Sequence, residues 1–241
     1  MDLIRPDWPS PGRVRAYSTT RTGGCSEGPW ASLNLGGNTG DDPDAVAQNR
    51  RLLRSMLPAE PLWLQQVHGT AVVRHGGAGT GAPEADASIA MAPGRVCVVL
   101  TADCLPVLIC NRRGDRVAAA HAGWRGLATG VLKATVSALG DDPGSLLAWL
   151  GPAIGPTVYE VGDDVRDVFL GQSAGDFSPC FTARGDRWLF DLYGAARLKL
   201  AAAGVRAVYG GNACTFSEPK RFYSYRRDGQ TGRMASLIWL E

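Results

Sequence analysis

The sequence predicts a domain that mixes α-helices and β-strands, and three of its features support this fold class. Apolar runs of strand length alternate along the chain with longer runs at helical spacing. Two apolar runs near the middle are separated by a short polar turn, which is typical of an antiparallel hairpin. The 241 residues suffice for one large core, and no linker-like stretch argues for two. We therefore expect a single α+β domain over residues 1–241.

The part of the chain before the middle is expected to contain four elements. In order they are a strand, a helix and two strands: Val14–Thr19, Asp42–Leu57, Leu62–Val67 and Thr70–Arg74. The helix has Pro43 near its start and Pro58 as its stop, where proline favours helix boundaries. His68 and Gly69 separate the two later strands, so the sequence predicts that His68 lies at a strand end.

The central segment is expected to form two strands followed by a hairpin. The two strands are Asp86–Ala92 and Arg95–Thr101, and the second is apolar throughout, as in a strand buried on both faces. The hairpin pairs Leu105–Cys110 with Val117–Ala120 across the polar turn Asn111–Arg116.

The C-terminal part continues the alternation of helices and strands. The expected elements are the helix Leu127–Leu139, the strand Leu146–Ile154, the helices Val165–Leu170 and Leu192–Ala203, the strand Val205–Tyr209, and a terminal hairpin of Phe222–Tyr225 with Met234–Leu240. Asp191 is a suitable N-cap for the helix that follows it, and Gly204 is a suitable stop.

Composition excludes several classes of function. The net charge of +2 comes from 25 basic and 23 acidic residues scattered along the chain, unlike the concentrated charge of a nucleic-acid binder. We expect small-molecule substrates and no nucleic acid.

The N-terminus lacks the apolar core of a signal peptide, and no apolar run approaches the roughly 18–20 residues that span a bilayer. We therefore expect a cytoplasmic protein without membrane contact, whose six cysteines are reduced thiols. Oligomeric state does not follow from the sequence.

Cys104 and His121 lie at neighbouring ends of the predicted hairpin strands. If the turn is centred on Arg112 and Arg113, the two residues oppose each other, with Cβ atoms about 4.5–5.5 Å apart. A turn displaced by one residue would leave them diagonal neighbours. Zinc takes both cysteine sulfur and histidine nitrogen, so the pair is predicted to supply two metal ligands.

His68 is the third predicted ligand. The chain has three histidines, and a single histidine at a strand end is more often structural than metal-binding. The Cys104 and His121 pair makes the metal interpretation of His68 more favourable. The remaining histidine, His75, precedes a glycine-rich loop and is interpreted as exposed.

Two segments are candidates for binding an anion. The loop that begins at Arg21 and reaches Asn34 is rich in glycine and serine, so its backbone N–H groups and the guanidinium could hold a polar or anionic ligand. Arg125 follows His121 in a glycine-flanked turn before a predicted helix, which suits phosphate. The alternatives are an ordinary surface loop and a solvated arginine.

Several motifs together resemble the YfiH family of laccase-domain proteins, long labelled polyphenol oxidases. They are STTRTGGCSEGPWASLNLG, LQQVHGT, TADCLPVLI, AAAHAGWRG, GPAIGPTVYEVGDDV, WLFDLYGAARLKLAAAGV and CTFSEPKRFYSYRRDGQTGRMASLIWL. The likeness covers nearly the whole chain, and the pairing of TADC with HAGWRG is its most specific part. One departure is Ala196, where the family tends to have asparagine.

The resemblance implies both a fold and a chemistry. The fold is an α+β (mixed α/β) single domain, with mixed and antiparallel β-sheets flanked by helices, similar to cysteine hydrolases. The implied zinc ligands match His68, Cys104 and His121. The implied activity is phosphorolysis of purine nucleosides such as adenosine, inosine and methylthioadenosine, with adenosine deamination in addition. Some bacterial members are linked instead to an amidohydrolase that edits peptidoglycan precursors.

Each implied chemistry assigns roles to particular residues. Three protein ligands leave a fourth zinc position open for water or substrate, as in catalytic sites. Cys104 and Asp103 are the predicted catalytic residues, with Asp103 or Glu160 moving a proton in deamination. In phosphorolysis, Arg21 and Arg125 are predicted to position the phosphate, and Asn34 belongs to the same substrate site.

A copper-dependent polyphenol oxidase is the other alternative. A set of two histidines and one cysteine resembles a blue-copper centre, and Cu²⁺ generally binds such ligands more tightly than Zn²⁺, so copper could occupy the same site. A laccase needs further coppers, however, and three histidines are too few to hold them.

Overall fold

The computed structural model describes residues 1–76, 81–173 and 175–241. The strands are β1 (Leu3–Ile4), β2 (Val14–Thr19), β3 (Val72–Arg74), β4 (Ala87–Ala90), β5 (Cys97–Thr101), β6 (Leu105–Asn111), β7 (Val117–Ala122), β8 (Leu146–Leu150), β9 (Glu160–Val161), β10 (Phe181–Arg184), β11 (Arg187–Phe190), β12 (Ala207–Gly210) and β13 (Met234–Leu240). The helices are α1 (Pro43–Arg54), α2 (Trp124–Thr129), α3 (Val131–Leu139), α4 (Asp163–Leu170), α5 (Leu192–Ala202) and α6 (Tyr225–Asp228).

The β6–β7 hairpin lies at the centre of a six-stranded sheet. The strand order is β12-β8-β6-β7-β4-β3, with parallel pairs at both edges and antiparallel pairs between them. Side chains on successive residues of β6 point to opposite faces, so Val107 packs toward α2, α3 and α5 while Leu108 packs toward the second sheet. All residues of the hairpin strands are buried because both faces are covered.

The second sheet has the order β1-β2-β13-β5 and packs on the six-stranded sheet. Its other face is covered by α1 and by the segment that includes Leu33 and Leu35. The result is two sheets between helical layers. A small third sheet, β10-β11-β9, was not predicted from the sequence. It packs through Phe181 and Phe190 on Phe169 of α4.

Several predicted elements are confirmed. The strand Val14–Thr19 has the predicted bounds. Helix α1 begins one residue after Asp42, whose side chain accepts a hydrogen bond from Asp44 N. Helix α5 begins after Asp191, which accepts from Gly194 N as the predicted N-cap.

Four predictions of local structure are wrong. The segment Leu62–Val67 makes only isolated bridges to Cys97 and Glu84, because its backbone turns toward two different neighbours. The helix predicted over Leu127–Leu139 begins at Trp124 and is broken at Gly130, whose φ of 106° interrupts the α-helical backbone.

The prediction of a terminal hairpin is also wrong. β13 pairs with β2 and β5, and the segment Phe222–Tyr225, which was predicted to pair with it, leads into α6. His75 is half-buried, with both ring nitrogens shielded from solvent. Part of the glycine-rich loop that follows it, residues 77–80, lies outside the described residues.

All six cysteines are free thiols, and Cys97 and Cys110 are fully buried within strands. Among the described residues, none of the helices combines the length and the apolar character that a membrane crossing requires.

Candidate metal and catalytic site

The structure brings the three predicted metal ligands together. His68 follows the irregular segment before β3, Cys104 immediately precedes β6, and His121 is near the end of β7. Cys104 Sγ lies 3.7 Å from His68 Nε2, and the two imidazole ring centroids are 4.7 Å apart in an edge-to-face arrangement. One ligand atom from each residue lies within 4.8 Å of the other two. This spacing allows one ion to contact all three.

The register of the hairpin differs from the opposed arrangement considered first. His121 pairs with Pro106, so Cys104, two residues before Pro106, is its diagonal neighbour. The turn is displaced by one residue because Asn111 Oδ1 accepts hydrogen bonds from Asp115 N and Arg116 N and so extends β6 to Asn111. The prediction that such a displacement would leave the pair as diagonal neighbours is confirmed.

Two of the site residues have left-handed backbone conformations. His68 has a φ of 61°, and Asp103, which immediately precedes Cys104, has a φ of 87°. Non-glycine residues adopt this region rarely, and it recurs at functional sites. The two turns are therefore held by their surroundings rather than by local preference.

Asp86 is the residue that holds the His68 turn, and the sequence-based reasoning missed it as a site residue. Its fully buried carboxylate accepts hydrogen bonds from His68 N at 2.9 Å and Gly69 N at 2.6 Å. It also accepts from His121 Nδ1 at 2.8 Å. Burial would raise the pKa of Asp86, but the hydrogen bonds and the charge of His121 together lower it. The sequence predicted Asp86 only as the first residue of a strand, which gave no signal for this role.

The charges of Cys104 and His121 stabilise each other. Burial alone would raise the pKa of the Cys104 thiol, but the positive charge of His121 and hydrogen bonds to both histidines lower it to about 6. Burial would lower the pKa of His121, while the Cys104 thiolate and the Asp86 carboxylate raise it to about 9. Cys104 is therefore an ionised, nucleophilic or metal-ligating sulfur near neutral pH.

Asp103 is almost fully buried and both of its carboxylate oxygens accept hydrogen bonds. Thr215 Oγ1 donates at 2.6 Å and the backbone N–H of Arg226 donates at 2.6 Å. Asp103 thereby ties the start of α6 to the loop that carries Cys104. Glu160, the other predicted proton carrier, pairs its carboxylate with Arg184 at 3.8 Å, and its backbone carbonyl accepts from Arg226 Nη1.

The side chains of Arg21 and Asn34 make hydrogen bonds within the protein. Arg21 donates to the carbonyls of Ala31 and Pro219, and its guanidinium lies 4.6 Å from the Tyr223 ring centroid. Asn34 is fully buried. Its Nδ2 donates to the loop that follows it, and its Oδ1 accepts a hydrogen bond from Arg233 N at 2.9 Å. Both side chains therefore help to hold the loop, Arg21 through Nε and Nη1 and Asn34 through both atoms of its amide, and their role in binding substrate stays a prediction.

Arg125 is exposed on the first turn of α2, with its guanidinium 4.5 Å from the centroid of the Trp124 ring. Its charge and that of Arg226 both lower the pKa of Tyr159, while burial and the negative charges of Cys104 and Asp103 raise it. The net effect is a raised pKa, so the Tyr159 hydroxyl stays protonated.

Arg226 and Tyr159 are in contact, with the guanidinium 5.1 Å from the ring centroid. Arg233 is largely buried, which lowers its pKa, but the negative charges of Cys104 and Asp103 act in the opposite direction. Arg233 is therefore influenced by the charges of Cys104 and Asp103, while Arg125 and Arg226 act on the neighbouring Tyr159. Arg226 and Arg233 were not assigned as binding residues because they lie in the turn of the predicted terminal hairpin. Tyr159 was missed because it immediately precedes β9, which was not predicted.

Comparisons with known proteins give the site a family context. A family model described as multi-copper polyphenol oxidoreductase laccase matches residues 15–241. The chain is 54% identical over 240 residues to purine nucleoside phosphorylase YfiH of Escherichia coli (strain K12), covering 99% of this chain and 98% of that protein. It is 46% identical over 246 residues to a purine nucleoside phosphorylase of Haemophilus influenzae, covering both chains completely.

A solved structure of a Neisseria meningitidis protein superposes on this chain with a TM-score of 0.96 and 48% sequence identity, covering 100% of both chains. A solved structure of YlmD from Geobacillus stearothermophilus gives a TM-score of 0.92 at 32% identity, covering 100% of this chain and 97% of that one. These matches confirm the predicted α+β fold class and the resemblance on which it depended.

Proposed function

The chain belongs to the family described as multi-copper polyphenol oxidoreductase laccase, and from this premise we propose that it is an enzyme, a purine nucleoside phosphorylase. In this reaction phosphate attacks the anomeric carbon of the ribose as the bond to the purine breaks, which gives the free base and ribose 1-phosphate. Adenosine, inosine and methylthioadenosine are the proposed substrates. Full-length relatives that carry this name at 46–54% identity support the assignment.

The single observation that carries the proposal is the cluster of His68, Cys104 and His121 bordered by arginines. Two imidazoles and one ionised sulfur are a donor set that suits zinc, and their mutual distances fit one ion. We propose that these three residues hold zinc, and that the site accepts copper in its place when zinc is absent. Zinc bound there would polarise a substrate oxygen or water as a Lewis acid.

The residues of the chain that act on phosphate are proposed to be Arg125 and Arg226. The charges of both guanidiniums act on Tyr159, Arg226 lies 5.1 Å from the ring centroid, and the phenol is a neutral hydrogen-bond donor. A phosphate between two guanidiniums and a phenol is fixed in orientation and partly neutralised, and this favours attack on the electron-deficient ribose carbon. Arg21 and Asn34 are proposed to support the substrate site indirectly. Arg21 holds the loop between the two residues by donating to the Ala31 carbonyl, and Asn34 holds the backbone of Arg233.

Cys104 is proposed to be a catalytic residue that lies beside the reacting atoms. Asp103 is proposed to position Arg226, whose backbone N–H donates to its carboxylate. Adenosine deamination is proposed as an additional activity of the same site, because three protein ligands leave room for a water beside the purine. The free state of all six thiols is consistent with our placement of the enzyme in the cytoplasm.

Phosphorolysis is tested by incubating the zinc-loaded protein with inosine and phosphate and measuring hypoxanthine and ribose 1-phosphate. We expect both products in equal amounts, and none from Cys104→Ala. Cys25→Ala, at an exposed thiol outside the cluster, is the matched control and should retain activity. Continued turnover by Cys104→Ala would remove Cys104 from the mechanism.

Competing functions are separated by parallel assays. Release of inosine from adenosine would support deamination. Hydrolysis of an amide in a UDP-linked muramyl precursor, with nucleosides untouched, would favour the editing amidohydrolase. Phenol oxidation by copper-loaded protein, absent from zinc-loaded protein, would support the oxidase, although three histidines cannot furnish the ligands of a multicopper centre.

A further inference from the structure

Asp86 contacts both histidines of the cluster, although they lie 53 residues apart in the chain. Its carboxylate accepts four hydrogen bonds, two on each oxygen. Oδ1 accepts from His68 N at 2.9 Å and from His121 Nδ1 at 2.8 Å. Oδ2 accepts from Val67 N at 3.2 Å and from Gly69 N at 2.6 Å. The carboxylate is fully buried, so these four donors take the place of water.

The three backbone donors are consecutive, and they enclose the residue with the left-handed conformation. His68 has a φ of 61°, which a non-glycine residue adopts only when its surroundings favour it. Three successive N–H groups directed at one carboxylate form an anion-binding nest that is built into the protein. Asp86 thereby fixes the turn from which the His68 side chain projects toward Cys104.

The fourth donor fixes the protonation of the other histidine. A carboxylate has only acceptors, so His121 Nδ1 must carry the proton in this contact. The lone pair of a neutral His121 is then on Nε2. The backbone supports the same alignment, since His121 N donates to the Asp86 carbonyl at 2.7 Å.

We infer that Asp86 is a positioning residue that sets both histidine ligands of the cluster at once: the backbone of His68 and the Nδ1–H tautomer of His121. This inference rests on the proposed metal site. It assigns Asp86 no contact with substrate. An outer carboxylate bonded to a ligating histidine is a recurring means of tuning metal affinity, and its loss costs about 10–100-fold in affinity.

Asp86→Asn tests the inference with almost no change in volume. Whichever way the amide is turned, its NH₂ group faces two of the four donors, so one half of the arrangement is lost. We expect zinc affinity, measured by competition with a chromophoric chelator, to fall about 10–100-fold. We also expect the visible spectrum of the Co²⁺ form to change, because the ligand geometry changes.

Asn111→Ala is the matched control. Asn111 is likewise fully buried and likewise holds a turn of the same hairpin, but at the end opposite the cluster. It should lower stability and leave zinc affinity and the Co²⁺ spectrum unchanged, because the pairing of β6 with β8 and of β7 with β4 also holds the two strands in register. Zinc affinity of Asp86→Asn within twofold of wild type, with an unchanged Co²⁺ spectrum, would overturn the inference.

The ring ¹⁵N spectrum of wild-type protein provides a test that does not depend on the folding of a variant. His121 Nδ1 should carry a proton with and without zinc, and a ring protonated on Nε2 alone, or a metal bond at Nδ1, would overturn the inference. If wild type binds no zinc or carries out no phosphorolysis, the proposed site or function fails. The metal-free spectrum still decides whether Asp86 sets the tautomer, so the two failures are distinguishable.

Discussion

Gly123 lies against Cys104 so closely that a Cβ atom at position 123 would stand 3.0 Å from Cys104 Sγ and 2.7 Å from His68 Cδ2. Its φ of −63° is accessible to any residue, so the backbone does not require glycine here. Glycine is required at position 123 because a larger side chain would clash with His68 and Cys104.

Gly123→Ala is therefore expected to displace His68 or Cys104 without straining the backbone. Overpacking of this kind typically costs about 1–3 kcal/mol, and we expect zinc affinity to fall about tenfold or more. Chelator competition measures the affinity. Gly12→Ala is the control, since a Cβ there meets no atom within 4 Å. Unchanged zinc affinity in Gly123→Ala would show that the cluster can shift to accept the methyl group.

Cys104 in metal-free protein should behave as a low-pKa thiol. Its pKa is lowered to about 6, so the thiolate forms as the pH rises through 6 rather than near 9. We expect the rate of alkylation by iodoacetamide to reach half its maximum near pH 6, and zinc to protect the residue. The readout is mass spectrometry of the modified peptide across a pH series.

Removal of the neighbouring charge tests the cause of this shift. His121→Asn eliminates the imidazolium that stabilises the thiolate, so the midpoint should move upward toward the ordinary value for cysteine. A midpoint that stays near 6 in this variant would assign the shift to another group.

Asp103 is expected to act through position rather than by proton transfer. Both of its oxygens are engaged, by Thr215 Oγ1 and by Arg226 N, and asparagine tolerates the left-handed backbone. Asp103→Asn should lower kcat/KM about 10–100-fold while the pH profile keeps its shape. Thr215→Val, which removes only one of the two contacts, should have a smaller effect. Loss of one limb of the pH profile in Asp103→Asn would instead identify Asp103 as a proton carrier.

The hairpin and the closeness of Cys104 and His121 could be predicted from sequence because their signals are local. Apolar runs, one polar turn and the positions of Cys104 and His121 are all contained in a short stretch. The register error came from a side chain, Asn111, whose hydrogen bonds to the turn lengthen β6. Such a contact changes the turn centre without changing the hydrophobic pattern.

The rest of the site depends on contacts between distant segments, which periodicity does not encode. Asp86, immediately before β4, accepts hydrogen bonds from His68 and His121, and Arg226 is placed by the carboxylate of Asp103. Arg226 was predicted to lie in the turn of a terminal hairpin between Phe222–Tyr225 and Met234–Leu240, whereas β13 pairs with β2 and β5. Sequence patterns pointed to the three proposed ligands, and the fold pointed to the residues that hold them.

Tyr159 is expected to contribute its hydroxyl to phosphate binding. Its raised pKa arises from burial and from neighbouring charges, with no hydrogen bond contributing, and Arg226 lies on its ring. Tyr159→Phe keeps the ring and removes only the donor, so the fold should be unaffected. A hydrogen bond to a charged group contributes about 1.5–3 kcal/mol, and we expect the KM for phosphate to rise by about 10–100-fold with little change in the KM for inosine. Tyr17→Phe, on β2, is the control. If only the KM for inosine rises, the Tyr159 hydroxyl binds the nucleoside instead of phosphate. Arg226 would then also contact the nucleoside, because its guanidinium lies on the Tyr159 ring.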